Sequence, residues 1–387
     1  MEETVRLFDE DSYIKEFDAT VVACDKCERG YETVLDRTAF FPEGGGQDPD
    51  PGLLDENEVL FVREKDGVIY HLTDKPFEIG QTVTGKIDFK ERFRRMQNHT
   101  AEHILSGIIH SVYGFENVGF HLSEEYFRAD YDGELDREDI KKLEVLINYA
   151  IAENHPVKAW YPDAETLAGI GYRSKKDICG KIRLVEIEGV DICACCAPHV
   201  AMTGEVGVFK VIEHMRYKGG TRIIALAGSD AVKLFINEHE MLSDIASGFS
   251  AKREEAKSAV DRLSDECRSL KREISKLNRE LLSSMLSAVE YTEGNLCFFF
   301  EAGRDADAVR EFVNAAVSRC GGVCAAFIGD DKNGYRYIIG SEKINLKDKC
   351  KIINGAIDGK GGGSDRMICG TARAGKLEIE RFFRGNF

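Results

Sequence analysis

The chain has 387 residues, of which 43% are hydrophobic and 31% are charged, a composition typical of a globular protein with two or three domains. It holds no run of about 18 apolar residues, so we expect no membrane span. The acidic start is unlike a secretory signal, and we therefore expect a cytoplasmic protein. A net charge of −16 argues by itself against a nucleic-acid partner, and twelve cysteines in a reducing compartment favour metal chemistry over disulfides.

Residues 1–88 predict a small β-barrel, because short alternating apolar and polar stretches are separated there by Gly, Pro and Asp. Three glycines in this segment, Gly44, Gly45 and Gly46, directly precede Gln47. Glycine lets a backbone approach a ligand closely, and an amide side chain can both donate and accept hydrogen bonds. An ordinary loop between two strands is the alternative interpretation.

Residues 90–113 predict a helix that ends at Gly114. Two of its residues, His99 and His103, are four positions apart and therefore lie on one face, where both can bind a single ion. Two histidines at this spacing also occur in helices without a metal. The pattern differs from the metalloprotease signature, which requires Glu directly after the first His, where this chain has Thr100.

A second pair of metal-binding side chains, Cys195 and His199, follows far along the chain, again four positions apart. Three nitrogens and one sulfur suit zinc, so we predict one Zn²⁺ per chain at these four residues. Two neighbouring thiols, Cys193 and Cys196, are alternative ligands.

The segment around the second pair mixes short strands and glycine turns and follows a helix predicted at residues 136–153, with Asp136 as its N-cap. For residues 89–230 we therefore predict a two-layer α/β domain built around the metal.

Residues 231–292 predict a long helical linker with a coiled-coil seam, because apolar residues recur there at alternating steps of three and four. The seam comprises Val260, Leu263, Cys267, Leu270, Ile274, Leu277 and Leu281. This helix either packs on its own chain or pairs with a second copy. Residues 293–387 predict a compact α/β domain with a glycine-rich loop at residues 359–364, and the whole is assigned to the α+β class.

Three motifs occur here in the order found in the editing domain of alanyl-tRNA synthetase, which the chain resembles. They are the Thr-x-Phe-x-Pro-x-Gly-Gly-Gly-Gln run from Thr38 to Gln47, the His-Thr-Ala-x-His helix, and the Cys-x-x-x-His-Val…Thr-Gly-Glu-Val-Gly segment that begins at Cys195. The glycines near residue 361 resemble the C-terminal domain of that enzyme, which DHH phosphoesterases share. Since only 98 residues precede His99, we expect no synthetase domain there, and the chain is similar to the free-standing AlaX editing proteins of the long form.

The resemblance implies hydrolysis of tRNA(Ala) wrongly charged with serine or glycine, with the four ligand residues holding zinc. It places Gln47 against the substrate or the terminal adenosine and Thr38 near the aminoacyl group, and we add Thr100 as a third candidate catalytic residue. A pocket sized for alanine rejects glycine and serine poorly, so a second hydrolytic site is the physical remedy. The predicted tRNA-binding residues are Gly44, Gly45, Gly46, Lys360, Gly361, Gly362, Gly363, Arg366 and Arg373.

One segment departs from the family pattern: the usual Cys-Gly-Gly-Thr-His is replaced by Cys-Cys-Ala-Pro-His at residues 195–199. The preference for serine or glycine, which the sequence leaves open, could shift with this replacement.

Two alternative functions remain open. One is an RNA-binding module in which zinc is purely structural, since four protein ligands leave no open position on the ion. The other is a DHH-type phosphodiesterase, for which the sequence shows no Asp-His-His motif. A homodimer through the linker or the C-terminal domain is a further expectation.

Overall fold

The computed structural model describes residues 2–174 and 181–385, and the chain divides into two compact units, Met1–Leu242 and Ser243–Phe387. Both units combine helices with sheets, so the mixture of helices and strands expected of the predicted α+β class is confirmed. The finer division into four segments remains a prediction. Among the described residues, none of the helices combines the length and the apolar content needed to cross a bilayer.

The first unit begins with a closed barrel, in which six strands follow the order β2-β3-β7-β6-β5-β8. Residues of β2 alternate between exposed and buried over its first half, as a strand with one face on a core must. The elements up to this point are β1 (Val5–Arg6), α1 (Leu7–Glu10), β2 (Glu16–Cys27), β3 (Gly30–Leu35), β4 (Arg37–Thr38), β5 (Gly52–Leu54), β6 (Asn57–Lys65), β7 (Val68–Thr73) and β8 (Thr82–Ile87).

The long helix α2 (Phe89–Tyr113) follows the barrel, and the end predicted at Gly114 is confirmed. Asp88 caps its N-terminus by accepting hydrogen bonds from two backbone N–H groups of the first turn. Gly114 ends it in the left-handed conformation, with φ of 72°, which glycine adopts without steric cost.

Two sheets complete the first unit. One has the order β14-β15-β10-β9 and shares a core with α2 and α3, and the other has the order β11-β12-β13. The predicted cap at Asp136 is confirmed, since its side chain accepts from the first turn of α3. The elements are β9 (Asn117–Leu122), β10 (Phe127–Tyr131), α3 (Arg137–Ala152), β11 (Val157–Trp160), α4 (Ala164–Gly169), β12 (Leu184–Ile187), β13 (Asp191–Ala194), β14 (Phe209–Tyr217), β15 (Gly220–Ala227) and α5 (Gly228–Gly248).

The second unit contains a five-stranded sheet of order β16-β17-β18-β20-β19 and the 32-residue helix α6. The predicted helical linker is two helices, because the chain leaves α5 at Gly248 and re-enters a helix at Ala256. The elements are α6 (Ala256–Ser287), β16 (Leu296–Phe300), α7 (Ala306–Ala316), β17 (Cys324–Asp330), β18 (Gly334–Gly340), α8 (Leu346–Ala356), β19 (Gly359–Gly363), β20 (Met367–Ala372) and α9 (Lys376–Arg384).

The glycine-rich loop predicted at residues 359–364 is wrong: Gly359–Gly363 form β19, an edge strand that pairs antiparallel with β20. Gly359, Gly361 and Gly363 allow close packing in this strand. A Cβ on Gly361 would lie 2.2 Å from the hydroxyl of Tyr337 and 2.3 Å from the carbonyl oxygen of Cys369. A side chain there would force the strand away from its neighbours, and this requirement explains a glycine run whose composition alone indicates a loop.

Candidate metal centre

The four predicted metal ligands meet in one place. His99 and His103 lie one turn apart on α2, and Cys195 and His199 follow the end of β13. The three imidazoles are between 1% and 5% exposed, while Cys195 is half-buried. One ligand atom from each residue lies within 4.8 Å of the others. Two segments almost a hundred residues apart thus supply a single donor set.

The distances within this group fit a tetrahedral ion. Sγ of Cys195 lies 3.6 Å from Nε2 of His99 and 3.5 Å from Nε2 of His199. A tetrahedral zinc with Zn–N of about 2.0 Å and Zn–S of about 2.3 Å places nitrogen and sulfur about 3.5 Å apart. The donor set therefore has both the chemistry and the spacing that zinc requires.

Each ligand imidazole also has an oxygen neighbour at its other nitrogen. Nδ1 of His99 lies 2.9 Å from Oε1 of Gln47, and Nδ1 of His199 lies 3.0 Å from Oγ1 of Thr100. Neighbours of this kind fix the tautomer and the ring orientation of metal-binding histidines. Two of the three candidate catalytic residues therefore contact ligands directly.

The third imidazole faces a carboxylate that sequence reasoning missed. Nδ1 of His103 lies 3.2 Å from Oδ2 of Asp191, an ion-pair distance, and has no hydrogen-bond partner among the residues that the structure describes. Arg173 holds this carboxylate through two hydrogen bonds of 2.7 and 2.8 Å. Burial opposes ionisation of Asp191, but His103 and Arg173 together lower its pKa, so the carboxylate is charged.

Nothing in the sequence singles out Asp191 or Arg173. Asp191 is the first residue of β13, and Arg173 is paired with it only in the folded chain. The three cysteines of this segment are also separated by the fold. Cys195 groups with the three imidazoles, whereas Cys193 groups with His103 and Asp191, and Cys196 is exposed.

The glycine segment brings Gln47 to this centre by a tight turn. Gly44 and Gln47 exchange two backbone hydrogen bonds of 3.0 and 3.1 Å, and the glycines between them have φ of 61° and 82°. A Cβ on Gly46 would lie 2.6 Å from the carbonyl oxygen of Phe120, so only glycine lets the turn lie against β9.

Buried ion pairing fixes the same segment to α2. The side chains of Arg92 and Asp50 are both fully buried and paired, and Arg92 also donates to the carbonyl oxygens of Ala39 and Ser12. Arg95, one turn before His99, donates to the carbonyl of Pro49. The loop that carries Gln47 is thus held to the helix that carries the first two ligands.

Gln47 contributes one atom that the fold leaves unused. Its residue is 2% exposed, and its Nε2 has no hydrogen-bond partner among the residues that the structure describes. A buried amide donor without a partner costs about 1–3 kcal/mol. This N–H is therefore suited to donate a hydrogen bond to the oxygen of a bound molecule next to the metal ligands.

The third candidate catalytic residue, Thr38, lies on β4, which pairs with β1 outside the six-stranded barrel. Its hydroxyl lies 2.9 Å from Nε2 of His71 and accepts from the N–H of Phe40. Burial lowers the pKa of His71 to about 4, so this imidazole is neutral, and its Nδ1 faces the carbonyl of Thr33 at 3.1 Å. Nε2 of His71 is then an acceptor, and the Thr38 hydroxyl donates to it.

The remaining predicted residues lie in the second unit. Lys360 and the three glycines after it are exposed on β19, and both Arg366 and Arg373 are exposed beside β20. The metal ligands, in contrast, all lie in the first unit.

The chain is similar to several known proteins. A family model described as the second additional domain of threonyl and alanyl tRNA synthetases matches residues 182–224. The alanyl-tRNA editing protein AlaX-L of Pyrococcus horikoshii is 27% identical, and the match covers 97% of this chain and 96% of that protein. An alanine–tRNA ligase of Ignicoccus hospitalis is 33% identical over 81% of this chain and 36% of the ligase.

The chain spans less than half the length of the ligases that it matches, 42% in the case of Pyrococcus abyssi. One solved structure, the C-Ala domain of Aquifex aeolicus alanyl-tRNA synthetase, is 17% identical and covers 24% of this chain and 95% of that domain. Its TM-score of 0.21 is too low to support an argument. The resemblance to alanyl-tRNA editing proteins that the motifs indicated is confirmed by the match along the whole chain.

Proposed function

We propose that this chain, similar along its length to an alanyl-tRNA editing protein, is a trans-acting deacylase that hydrolyses the ester of tRNA(Ala) wrongly charged with serine or glycine. The observation that carries the proposal is the buried convergence of three imidazoles and one thiol, with an oxygen neighbour at Nδ1 of each imidazole. The substrate of such an enzyme belongs to translation, which supports the expectation of a cytoplasmic protein.

Zinc is the cofactor that this donor set suits best, and we assign it to His99, His103, Cys195 and His199. When bound, it would supply Lewis acidity toward an ester carbonyl or a water molecule. An aminoacyl ester is already labile, so positioning contributes much of the remaining effect.

Gln47 is proposed to hold the acyl group. Its Oε1 accepts from His99, and this contact sets the direction of the unpartnered Nε2–H. That N–H would donate to the carbonyl oxygen of the ester or to the terminal ribose. Binding of the substrate would then satisfy a buried donor, which favours the bound state.

Thr100 and Asp191 are proposed as positioning residues. Thr100 is fully buried, and its hydroxyl oxygen accepts from the N–H of Val200 while it faces Nδ1 of His199. Asp191, locked by Arg173, plays the same part for His103. Both residues would turn Nε2 of their imidazole toward the ion.

For Thr38 we propose a narrower role than the resemblance implies. Its hydroxyl proton is committed to His71, so toward a substrate hydroxyl it can act only as an acceptor. For the second unit we propose that Lys360, Arg366, Arg373 and the glycine backbone of β19 contact phosphates of the tRNA, together with the glycine turn of the first unit.

We also propose that α6 pairs with a second copy of the chain as a coiled coil. All seven seam residues are exposed in the single chain, and only Ala256, Ala259 and Leu282 of this helix are buried. An apolar seam on a 32-residue helix is typical of a surface covered by a partner helix.

The proposed function is tested by the release of serine and glycine from tRNA(Ala), with correctly charged Ala-tRNA(Ala) as the control substrate. Metal-loaded protein should deacylate at least one mischarged substrate and spare alanine. His103→Ala should lower kcat/KM at least about 100-fold, since loss of an outer partner alone costs 10–100-fold. The matched variant is His110→Ala, which removes an exposed imidazole from the same helix and should change nothing.

Chelated protein should lose activity and recover it when zinc returns. Full activity in metal-free protein would refute the role of the metal. Absence of hydrolysis by folded, zinc-loaded protein would refute the deacylase function and indicate an RNA-binding module whose zinc is structural.

A further inference from the structure

The predicted histidine ligands are buried, but some of their neighbours are exposed. His99, His103, His199 and Gln47 are each no more than 5% exposed. Neighbouring residues that reach solvent include the glycine turn, Phe120, Cys195 and Cys196. The glycine turn and residues 195–196 therefore offer an approach for an ester carried on the end of a tRNA.

Cys196 lies on this approach. A Cβ built on Gly44 would lie 3.7 Å from its Sγ, and one built on Gly45 would lie 3.6 Å from the same atom. The Gly45 position is also 3.9 Å from Cε1 of His99. Sγ of Cys196 and the His99 ring therefore both lie within 4 Å of the same position beside the glycine turn.

The backbone around Cys196 is held in place. Arg183 is 5% exposed and donates through one nitrogen to the carbonyl oxygens of Cys195 and Ala197, at 3.1 and 2.9 Å. Its carbonyl oxygen in turn accepts from the N–H of Cys195 at 3.1 Å. Because both neighbours of Cys196 are fixed to one buried side chain, a substrate cannot readily displace the thiol by moving the backbone.

We propose that Cys196 is the specificity-determining residue of this site and that its thiol makes the chain prefer glycine to serine as the acyl group. The proposal rests on the deacylase function proposed above. Under this proposal the carbonyl of the acyl group meets Nε2 of Gln47, which contacts His99 through its Oε1, and the acyl side chain faces Sγ of Cys196. Glycine adds nothing at that position, whereas serine adds a carbon and a hydroxyl.

The expected size of the effect follows from steric selection in small pockets, where one methylene changes kcat/KM by about 10–200-fold. We expect kcat/KM for Gly-tRNA(Ala) to exceed that for Ser-tRNA(Ala) by at least about 10-fold. Cys196→Gly removes the thiol and should raise kcat/KM for the serine substrate about 10-fold while changing that for glycine by less than about 3-fold.

The experiment measures kcat/KM for both substrates with the zinc-loaded full chain, Cys196→Gly and Cys196→Ala. Cys27→Ala, which removes a half-buried thiol from the end of β2, is the matched control and should keep the wild-type ratio. Zinc content is measured on every variant and should remain one per chain, because Cys195 and not Cys196 groups with the imidazoles.

A fall of the glycine-to-serine ratio toward one in Cys196→Gly, with zinc retained, supports the proposal. Hydrolysis by the wild-type chain with a ratio that Cys196→Gly leaves unchanged, or with serine preferred, overturns it and leaves the deacylase function intact. Loss of zinc in Cys196→Gly also overturns it, because the thiol would then be a ligand. Failure of the wild-type chain on both substrates refutes the deacylase function itself, and the proposal with it.

Discussion

The two longest helices of the chain distribute their residues in opposite ways. In α2, ten polar or charged side chains are buried, among them Arg92, Asn98, Glu102 and the two ligand histidines. In α6, seven apolar or thiol side chains of one seam are exposed. The difference shows that burial is decided by what the rest of the fold brings to a helix, since hydropathy alone would predict the reverse for many of these residues.

The buried polar groups of α2 are tolerated because distant segments supply their partners. Asp50 pairs with Arg92, Asp230 with Arg94, and Asn117 donates to Glu102. Each partner lies outside the helix in sequence, and Asp50 and Asp230 lie far from it. The exposed seam of α6 is the converse case. The helix carries the apolar pattern of a coiled coil, but its seam residues stay exposed in the single chain.

The largest expected effect is the loss of a buried partner from α2. Asp50→Ala should lower the free energy of unfolding of the first unit by about 3–5 kcal/mol, because it leaves the Arg92 guanidinium buried and uncompensated. The single tryptophan, Trp160, lies in β11 of this unit, so its fluorescence during denaturant unfolding measures the change.

The matched control is Glu32→Ala, which breaks the half-exposed pair with Arg63 and should cost no more than about 1 kcal/mol. Equal losses in the two variants would show that burial of the Arg92–Asp50 pair does not set its importance.

The second effect tests the edge strand of the second unit. Gly361→Ala should destabilise this unit by about 1–3 kcal/mol, because the new Cβ would meet the Tyr337 hydroxyl and the Cys369 carbonyl. Gly362→Ala, one residue on, meets nothing within 4 Å and should be nearly neutral. Thermal unfolding followed by circular dichroism compares the two. Similar behaviour of both variants would favour the loop that the sequence predicts.

That loop illustrates what a local sequence pattern misses. A run of glycines indicates backbone freedom, but it does not distinguish a turn from a strand that must lie close to its neighbour. The choice depends on Tyr337 and Cys369, which belong to strands elsewhere in the chain. Local patterns are sufficient where the signal is local, as at the Asp136 cap and the Gly114 stop of the two helices.

The metal centre likewise contains residues that the sequence indicates and one that it does not. The sequence alone indicates the donor set, through the spacing of His99 and His103 on one helix face and of Cys195 and His199 in a second segment. It does not indicate Asp191, because an outer partner leaves no spacing pattern and its identity depends on how β13 lies against α2.

The third effect is therefore predicted for Asp191. Asp191→Asn should weaken zinc binding by about 10–100-fold, since it removes the negative charge that faces Nδ1 of His103. Competition with a chromophoric chelator measures the affinity. Asp130→Asn removes a carboxylate that Arg222 holds in the same two-bond manner, without a ligand histidine, and should leave zinc affinity unchanged. A loss of affinity in both variants would attribute the effect to general destabilisation.

The smallest effect on the single chain is expected in the seam of α6, where Ile274 is 58% exposed. Ile274→Glu should change the free energy of unfolding of the second unit by no more than about 0.5 kcal/mol, because the side chain already faces solvent. The same change should dissociate a dimer, since it places a charge at a seam position of the coiled coil. Ser275→Glu adds the same charge about 100° round the helix, away from the seam, and should leave association intact. Sedimentation of the three proteins at micromolar concentration decides the question. A monomeric wild-type chain would show that the exposed seam is not a dimer interface, and the contrast between α2 and α6 would then need a different partner to explain it.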